Sequence, residues 1–198
     1  MIEYIKPILW EDNTLYILNQ LKLPEITEYN QKNTLEDVFH AIRNMELRGA
    51  PLIGITAAYG MYIGIRSLTA KGHEEFIGQM RKNAEYLKES RPTAVNLFWA
   101  IDRMLNRAIQ LSDKSLEEKK AILLEEAIAI QKEDEGINRS IGENFMPLLK
   151  NGVTILTHCN AGSLATSKYG TATAPMYIAK DKGWDIKVYA DETRPYLQ

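Results

Sequence analysis

The chain's single cysteine, Cys159, follows a short β-rich segment and precedes a turn of small polar residues. The segment Thr154 to Thr157 is typical of a buried strand, and ligands bind at the carboxyl ends of strands in open parallel α/β sheets. The next three residues keep backbone N–H groups accessible: Asn160, Ala161 and Gly162. Such groups stabilise a thiolate or a developing oxyanion, so the loop predicts an oxyanion or phosphate site beside a reactive thiol. A cysteine is also commonly a small buried hydrophobe, and this alternative stays open.

A cysteine hydrolase would need a histidine base, and the chain has three histidines. His158 adjoins Cys159, but neighbouring side chains on a strand point to opposite faces. We therefore expect His158 to be packed or hydrogen-bonded rather than to serve as the base. His40 and His73 lie in helical segments without a supporting motif, so the sequence offers little for hydrolysis.

Two arginines lie close to prolines at predicted helix starts. One is in the segment Arg48-Gly49-Ala50-Pro51, and the other is followed by proline in Arg91-Pro92. Helix N-termini bind anions through free N–H groups and the helix dipole, and an arginine beside one suits a phosphate. The alternative is a pair of solvated or ion-paired loop arginines, which the spacing alone leaves open.

Several classes of site are disfavoured by pattern and composition. The glycines between Gly162 and Gly170 do not have dinucleotide-binding spacing, and no Walker lysine follows them. No cysteine or histidine pair has metal-ligand spacing, so we expect no metal. A formal net charge of −2 predicts neither nucleic-acid nor membrane binding. The single cysteine and the lack of a signal-peptide core in residues 1–7 predict a cytoplasmic protein.

The N-terminal three quarters of the chain predicts a small sheet followed by helices. A hairpin is expected around the polar turn at Glu11 to Asn13, with a third strand at Glu25 to Tyr29. Hydrophobic periodicity then predicts five helices, of which the second is apolar nearly all round and central. They are expected from Asn33 to about Leu47, Pro51 to Ile65, His73 to Glu89, Thr93 to about Ala108, and Ser115 onward.

Local signals place the ends of these helices. Asn33 with Glu36, and Ser115 with Glu118, have the spacing of capping boxes, and Thr93 is a candidate cap. The polar segment Glu133 to Gly142 predicts a bend or an end in the fifth helix. Gly60 and Gly64 predict a close approach of neighbouring helices.

The sequence pattern changes after Gly152, from the hydrophobic period of helices to a segment rich in β-formers. A strand at Val153 to Thr157, a helix ending near Lys182 and a strand at Asp185 to Tyr189 form a βαβ unit, which requires parallel strands. The fold class is therefore α/β. We predict a mostly helical N-terminal domain with a small β-sheet, residues 1–148, followed by the truncated start of a Rossmann-like parallel α/β domain, residues 149–198.

Four segments, in this order, resemble the methylthioribose-1-phosphate isomerase family. They are Met45 to Gly54, Arg91 to Leu97, Ile155 to Thr166, and Asp191 to Pro195. The superfamily also holds ribose-1,5-bisphosphate isomerase and the regulatory subunits of initiation factor 2B, which share the fold without the chemistry. The resemblance implies an intramolecular aldose–ketose isomerisation of 5-methylthioribose 1-phosphate in methionine salvage, without a cofactor.

The same resemblance implies roles for individual residues. Cys159 would transfer hydrogen or stabilise the transition state. The phosphorylated pentose would be held by five residues: Arg48, Gly49, Ala50, Arg91 and Gln198. The family's catalytic aspartate, its asparagine–lysine pair and most of its dimer contacts lie beyond Gln198. We therefore expect the N-terminal part of such an enzyme, a homodimer when full length and of reduced activity or inactive alone.

Two alternatives from the same superfamily accompany this expectation. One is a non-catalytic protein that binds a sugar phosphate or a nucleotide, as an initiation factor 2B regulatory subunit would. The other is a ribose-1,5-bisphosphate isomerase. Retention of both Cys159 and the two arginine motifs favours an isomerase-type site.

Overall fold

A computed structural model describes residues 4–191 and begins with a three-stranded antiparallel sheet in the order β1-β2-β3. The strands are β1 (Ile8–Glu11), β2 (Thr14–Leu18) and β3 (Tyr29–Lys32). The predicted hairpin is confirmed, and its turn residues Asp12 and Asn13 have the positive φ that tight hairpin turns require.

The predicted third strand is present, but its predicted bounds, residues 25–29, are wrong, because pairing with β2 begins only at Tyr29, opposite Leu18. The preceding backbone forms a turn instead, in which the N–H of Ile26 donates to the carbonyl of Lys22 at 3.0 Å. Pro24 in this turn has no N–H to offer a strand partner.

Five helices follow, and all five predicted helices are present. They are α1 (Leu35–Arg43), α2 (Ala50–Ile63), α3 (His73–Lys88), α4 (Val95–Ile109) and α5 (Leu116–Phe145). Twelve of the fourteen residues of α2 are buried, and α2 packs against α4 and α5. The prediction of a central apolar second helix is confirmed.

Helix ends differ from the sequence-based predictions in detail. The capping box of α1 is formed by Thr34 and Asp37, one residue later than predicted, because Thr34 has the extended backbone of a cap. The helix ends at Arg43 rather than near Leu47, and Met45 follows with a left-handed backbone. Ala94, not Thr93, precedes α4. The capping box of Ser115 and Glu118 is confirmed.

The predicted end of α5 within residues 133–142 is wrong, since the helix continues to Phe145; the alternative of a bend there stays a prediction. Asn138 and Asn144 donate their side-chain amides to carbonyls four residues earlier, at 2.9 and 2.8 Å, so these polar side chains do not draw backbone bonds out of the helix. Close approach at the α2 glycines is confirmed. A β-carbon on Gly60 would lie 2.8 Å from Val38 Cγ1, and one on Gly64 would lie 2.5 Å from Asn83 Nδ2.

The α/β part contains β4 (Thr154–Thr157), α6 (Ala174–Asp181) and β5 (Lys187–Ala190). The two strands pair in parallel, which confirms the βαβ unit. The prediction that β4 is buried is wrong, because Leu156 is 74% exposed. Within residues 4–191 this sheet has only two strands, too few to enclose a face.

Helix α6 packs against α5, so α5 contacts both parts of the chain. The domain boundary near residue 148 stays a prediction. Among the described residues, no helix is long and apolar enough to cross a membrane.

Candidate active site

Cys159 lies two residues beyond the carboxyl end of β4, with its side chain exposed. The alternative of a buried apolar filler is therefore wrong. Its backbone is left-handed, with φ of 67°, a conformation that costs a residue other than glycine about 1–3 kcal/mol. Strain of this kind concentrates at functional sites. The thiol is presented to solvent at the sheet edge where ligands bind in parallel α/β folds.

His158 and Asp191 meet at this edge. Thr157 and Ala190 are the last paired residues of β4 and β5, so the next residue of each strand lies beside the other. Nδ1 of the exposed His158 contacts a carboxylate oxygen of Asp191. The prediction of a hydrogen-bonded histidine is confirmed, whereas packing is not observed. The remainder of the segment Asp191 to Pro195, residues 192–195, lies outside the described residues.

The loop after Cys159 closes on itself. The carbonyl of Ala161 accepts the N–H of Thr171 at 3.1 Å, and the hydroxyl of Thr173, 3.3 Å from the same oxygen, donates to the nearer carbonyl of Tyr169 at 2.5 Å. A β-carbon on Gly170 would lie 2.4 Å from the carbonyl oxygen of Ala161, and φ of Gly170 is 71°. A side chain at position 170 would therefore prevent the closure. Asn160 and Gly162, half-buried, flank Ala161 at the start of the loop.

The N-terminus of α2 packs on this loop. Gly49 precedes α2 with φ of 111°, and a β-carbon on it would lie 2.3 Å from Cα of Ala165. The first turn of α2 has no acidic side chain, so its N–H groups keep their positive field for an anion. Arg48 is half-buried beside this helix end, and Ala50 is exposed. The structure thus brings the Arg48–Pro51 motif to the loop that follows Cys159.

The second arginine motif reaches the same helix through α4. A β-carbon on Gly54 of α2 would lie 2.8 Å from the carbonyl oxygen of Asn96, in the first turn of α4. Arg91 is half-buried, and its carbonyl accepts the N–H of Ala94 just before that turn. The starts of α2 and α4 are therefore adjacent. The predicted ligand Gln198 lies outside the described residues.

Sequence reasoning missed two side chains that fix the loop to the rest of the chain. Asp134 of α5 accepts both the N–H and the hydroxyl of Ser167, at 2.8 and 2.6 Å. The buried Gln20 donates its side-chain amide to the carbonyl of Leu164 at 2.8 Å. Asp134 stands between two other acids in the sequence, so no local pattern distinguishes it.

Sequence reasoning also missed an apolar cavity beside the start of α2. Its volume is about 370 Å³, and its lining is largely apolar, with Asn96, Glu133 and Asp134 as the polar lining residues. Val95, although apolar, is 78% exposed there. The apolar lining side chains come from α2, α4 and α5: Pro51, Ile55, Val95, Trp99, Ile130 and Ile137. Among residues 4–191, no group of three histidine, cysteine or acidic side chains is placed to hold a metal ion.

The chain belongs to the initiation factor 2 subunit family, whose sequence profile matches residues 46–198. It is 52% identical, over its whole length, to a 5-deoxyribose 1-phosphate isomerase from Bacillus thuringiensis. The chain spans 57% of the length of that relative.

Two solved structures share the fold closely, and each matches 98% of this chain. A 5-methylthioribose 1-phosphate isomerase from Pyrococcus horikoshii has a TM-score of 0.90 and 38% identity, with 54% of its own chain covered. The delta subunit of translation initiation factor eIF-2B from A. fulgidus has a TM-score of 0.88 and 39% identity, with 56% covered. Both names implied by the resemblance, an isomerase and an initiation-factor subunit, thus occur among the structural relatives.

Proposed function

We propose that this chain carries part of the active site of an aldose–ketose isomerase for a pentose 1-phosphate. The observation that supports this most directly is the packing of Gly49 on Ala165. It places a helix N-terminus and an arginine, which suit a phosphate, against the loop of an exposed thiol. The 52% identity to a sugar-phosphate isomerase supports the same reaction class.

In this proposal the phosphate lies at the N-terminus of α2. It is held there by the N–H groups of the first turn and by five residues: Arg48, Gly49, Ala50, Arg91 and Gln198. The reaction moves hydrogen from C2 to C1, breaks the bond between C1 and the ring oxygen, and transfers the C2 hydroxyl proton to that oxygen. Atoms and electrons balance without a co-reactant. Cys159 transfers the hydrogen or stabilises the charge that develops, with the N–H groups of Asn160, Ala161 and Gly162 as candidate donors.

The substrate we propose is 5-methylthioribose 1-phosphate, with 5-deoxyribose 1-phosphate as the close competitor. The two compounds differ only in the apolar substituent at C5, and each occurs in the name of a relative. The apolar cavity between α2, α4 and α5 begins at Pro51, next to the proposed phosphate site. An apolar C5 substituent suits such a lining better than a hydroxyl or a second phosphate, which disfavours ribose 1,5-bisphosphate.

The decisive experiment follows ketose formation from both pentose 1-phosphates and from ribose 1-phosphate. The chain is assayed alone and with the region of the Bacillus thuringiensis relative that it does not cover. We expect turnover in at least one form, its loss in Cys159→Ser, and a preference for the two substrates with an apolar C5 group. Absence of turnover in both forms would overturn the isomerase proposal.

A second candidate is a non-catalytic protein that binds a sugar phosphate or a nucleotide. The 39% identity to an initiation-factor delta subunit favours it. Since Cys159 is the only cysteine, ligand protection of its alkylation measures binding separately from turnover. Protection without turnover in either form would support this candidate.

The isomerase proposal also includes two properties of the longer protein: it forms a homodimer, and it is located in the cytoplasm.

A further inference from the structure

We propose that Asp134 is a positioning residue for Cys159, acting through Ser167 to hold the thiol's loop against the helical part of the chain. This inference rests on the proposed function. Asp134 belongs to α5, whereas Ser167 follows the 3-10 turn Ser163–Ala165 of the loop. Their contact joins segments 33 residues apart in the sequence.

The contact between Asp134 and Ser167 is strong by its chemistry. One carboxylate oxygen of Asp134 accepts two hydrogen bonds, from the N–H of Ser167 at 2.8 Å and from its hydroxyl at 2.6 Å. Hydrogen bonds to an ionised acceptor are roughly twice as strong as neutral ones. Ser167 is only 1% exposed, so water cannot readily replace the carboxylate. Removing Asp134 would leave a buried N–H without its acceptor.

Two further contacts hold the same short segment. Gln20 binds the carbonyl of Leu164, and Gly49 packs on Ala165. Three of the four residues from 164 to 167 are therefore held: Leu164 by Gln20, which follows β2, Ala165 by the start of α2, and Ser167 by α5. Asp134 is the only ionised anchor among these three.

This anchoring determines where the thiol lies relative to the phosphate site. Only four residues separate Cys159 from the anchored Leu164, and the carbonyl of Ala161 within them is bonded to Thr171. Displacement of the segment would shift Cys159 away from the start of α2. A misplacement of about 1 Å is enough to lower a rate by about 10²-fold.

The test uses Asp134→Ala, Asp134→Asn, Ser167→Ala and the Asp134→Ala/Ser167→Ala double variant, in whichever form of the protein shows turnover. Glu143→Ala is the matched control, since Glu143 lies on the same helix in an exposed pair with Arg139. Amide hydrogen exchange over residues 161–173 reports on the loop itself. The kinetic constants kcat and KM report on its consequence.

We expect exchange over residues 161–173 to increase about tenfold or more in Asp134→Ala and Ser167→Ala, with exchange in α2 and α3 unchanged. We expect kcat to fall about 10–100-fold in Ser167→Ala while KM changes less than about threefold, because Ser167 does not line the apolar cavity and the phosphate ligands stay in place. The double variant should be no slower than either single variant, since both remove one contact. Asp134→Asn keeps an oxygen acceptor, so its loop exchange and its kcat should both stay close to those of the unmodified protein.

Unchanged loop exchange in Asp134→Ala would overturn the inference, whether or not the protein turns over substrate. Faster exchange with unaltered kcat would also overturn it, because the contact would then be structural only. If neither form of the unmodified protein shows turnover or sugar-phosphate protection of Cys159, the proposed function fails. In that case hydrogen exchange alone still decides whether Asp134 holds the loop.

Discussion

Gly49 and Ala165 pack so closely that a β-carbon on Gly49 would lie 2.3 Å from Cα of Ala165. The atoms it would meet include the backbone carbonyl oxygen of Ala165, at 2.4 Å, which cannot move without moving the loop. This contact joins the start of α2 to the segment that follows Cys159. Glycine is required for two reasons, because φ of Gly49 is also 111°.

Gly49→Ala should therefore separate α2 from the Cys159 loop. We expect a loss of about 1–3 kcal/mol in the free energy of unfolding, from backbone strain alone. We expect turnover to fall by a larger fraction than the amount of folded protein does, because the Cys159 loop moves away from α2. Urea denaturation and the isomerase assay measure the two effects. Gly78→Ala is the matched control, since its β-carbon would meet no atom within 4 Å and alanine favours the interior of α3. Wild-type turnover in Gly49→Ala would show that the contact is dispensable.

Arg48→Lys and Arg91→Lys test the proposed phosphate site without removing charge. Lysine lacks the planar fork of guanidinium, so each change should weaken sugar-phosphate binding by about 10–100-fold, the equivalent of one charged hydrogen bond. Protection of Cys159 from alkylation gives the affinity. Arg81→Lys, at an exposed position of α3, should leave it unchanged. Equal affinities in all three variants would favour the ion-paired alternative for the two site arginines.

The ion pair of Lys32 and Glu46 should stabilise the segment that leads into Arg48. Nζ of Lys32 lies 2.7 Å from Oε2 of Glu46, and the two side chains are only 10% and 12% exposed. Asn30 also donates to Glu46 at 2.6 Å. Glu46→Gln leaves the lysine charge buried and unpaired, so we expect a loss of about 3–5 kcal/mol in the free energy of unfolding.

The control for this change is Glu28→Gln, which breaks the exposed pair of Lys22 and Glu28. Exposed pairs contribute about 0–1 kcal/mol, so thermal or urea denaturation should separate the two variants clearly. Similar losses in Glu46→Gln and Glu28→Gln would contradict the assignment of Glu46 as a structural anchor.

Asp37 gives α1 an acid-sensitive start. Burial raises the pKa of this carboxyl, but hydrogen bonds from the N–H groups of Asn33 and Thr34 and from the Thr34 side chain outweigh it, so its pKa is lowered overall. A lowered folded-state pKa stabilises the fold above the ordinary aspartate value of about 3.9. That stabilisation is lost as pH falls through the lower folded-state value.

Asp37→Asn should therefore be less stable than the unmodified protein at pH 7, by about 0.3–1 kcal/mol at this helix N-terminus. The difference should shrink as the pH is lowered below about 4. Thermal denaturation at pH values from 7 to 3 measures it, and Glu25→Gln, at an exposed position before β3, serves as the control. A difference that grew on acidification would contradict the sign of the pKa shift.

Helix positions followed from hydrophobic period, whereas the start of α1 and the end of α5 did not. The apolar stripe of α1 was readable, whereas Asn33 and Thr34 offer equally good cap chemistry. Only the extended backbone at Thr34 selects between them. For α5, the polar segment 133–142 predicted a break, yet packing on α2 and α6 keeps the helix whole. Long-range contacts decide such cases, because local propensities differ by less than about 1 kcal/mol per residue.

The residue types and their spacing pointed to two arginine motifs as candidate phosphate ligands and to Cys159 as a candidate reactive thiol, and the order of the motifs predicted the family. The succession of strand, helix and strand also predicted the parallel pairing of β4 and β5, because that spacing admits little else. Tertiary structure alone decided that Gly49 contacts Ala165 and that Asp134 binds Ser167. Both contacts join segments that are distant in the chain, and their geometry depends on how α2 and α5 pack, which no local pattern records.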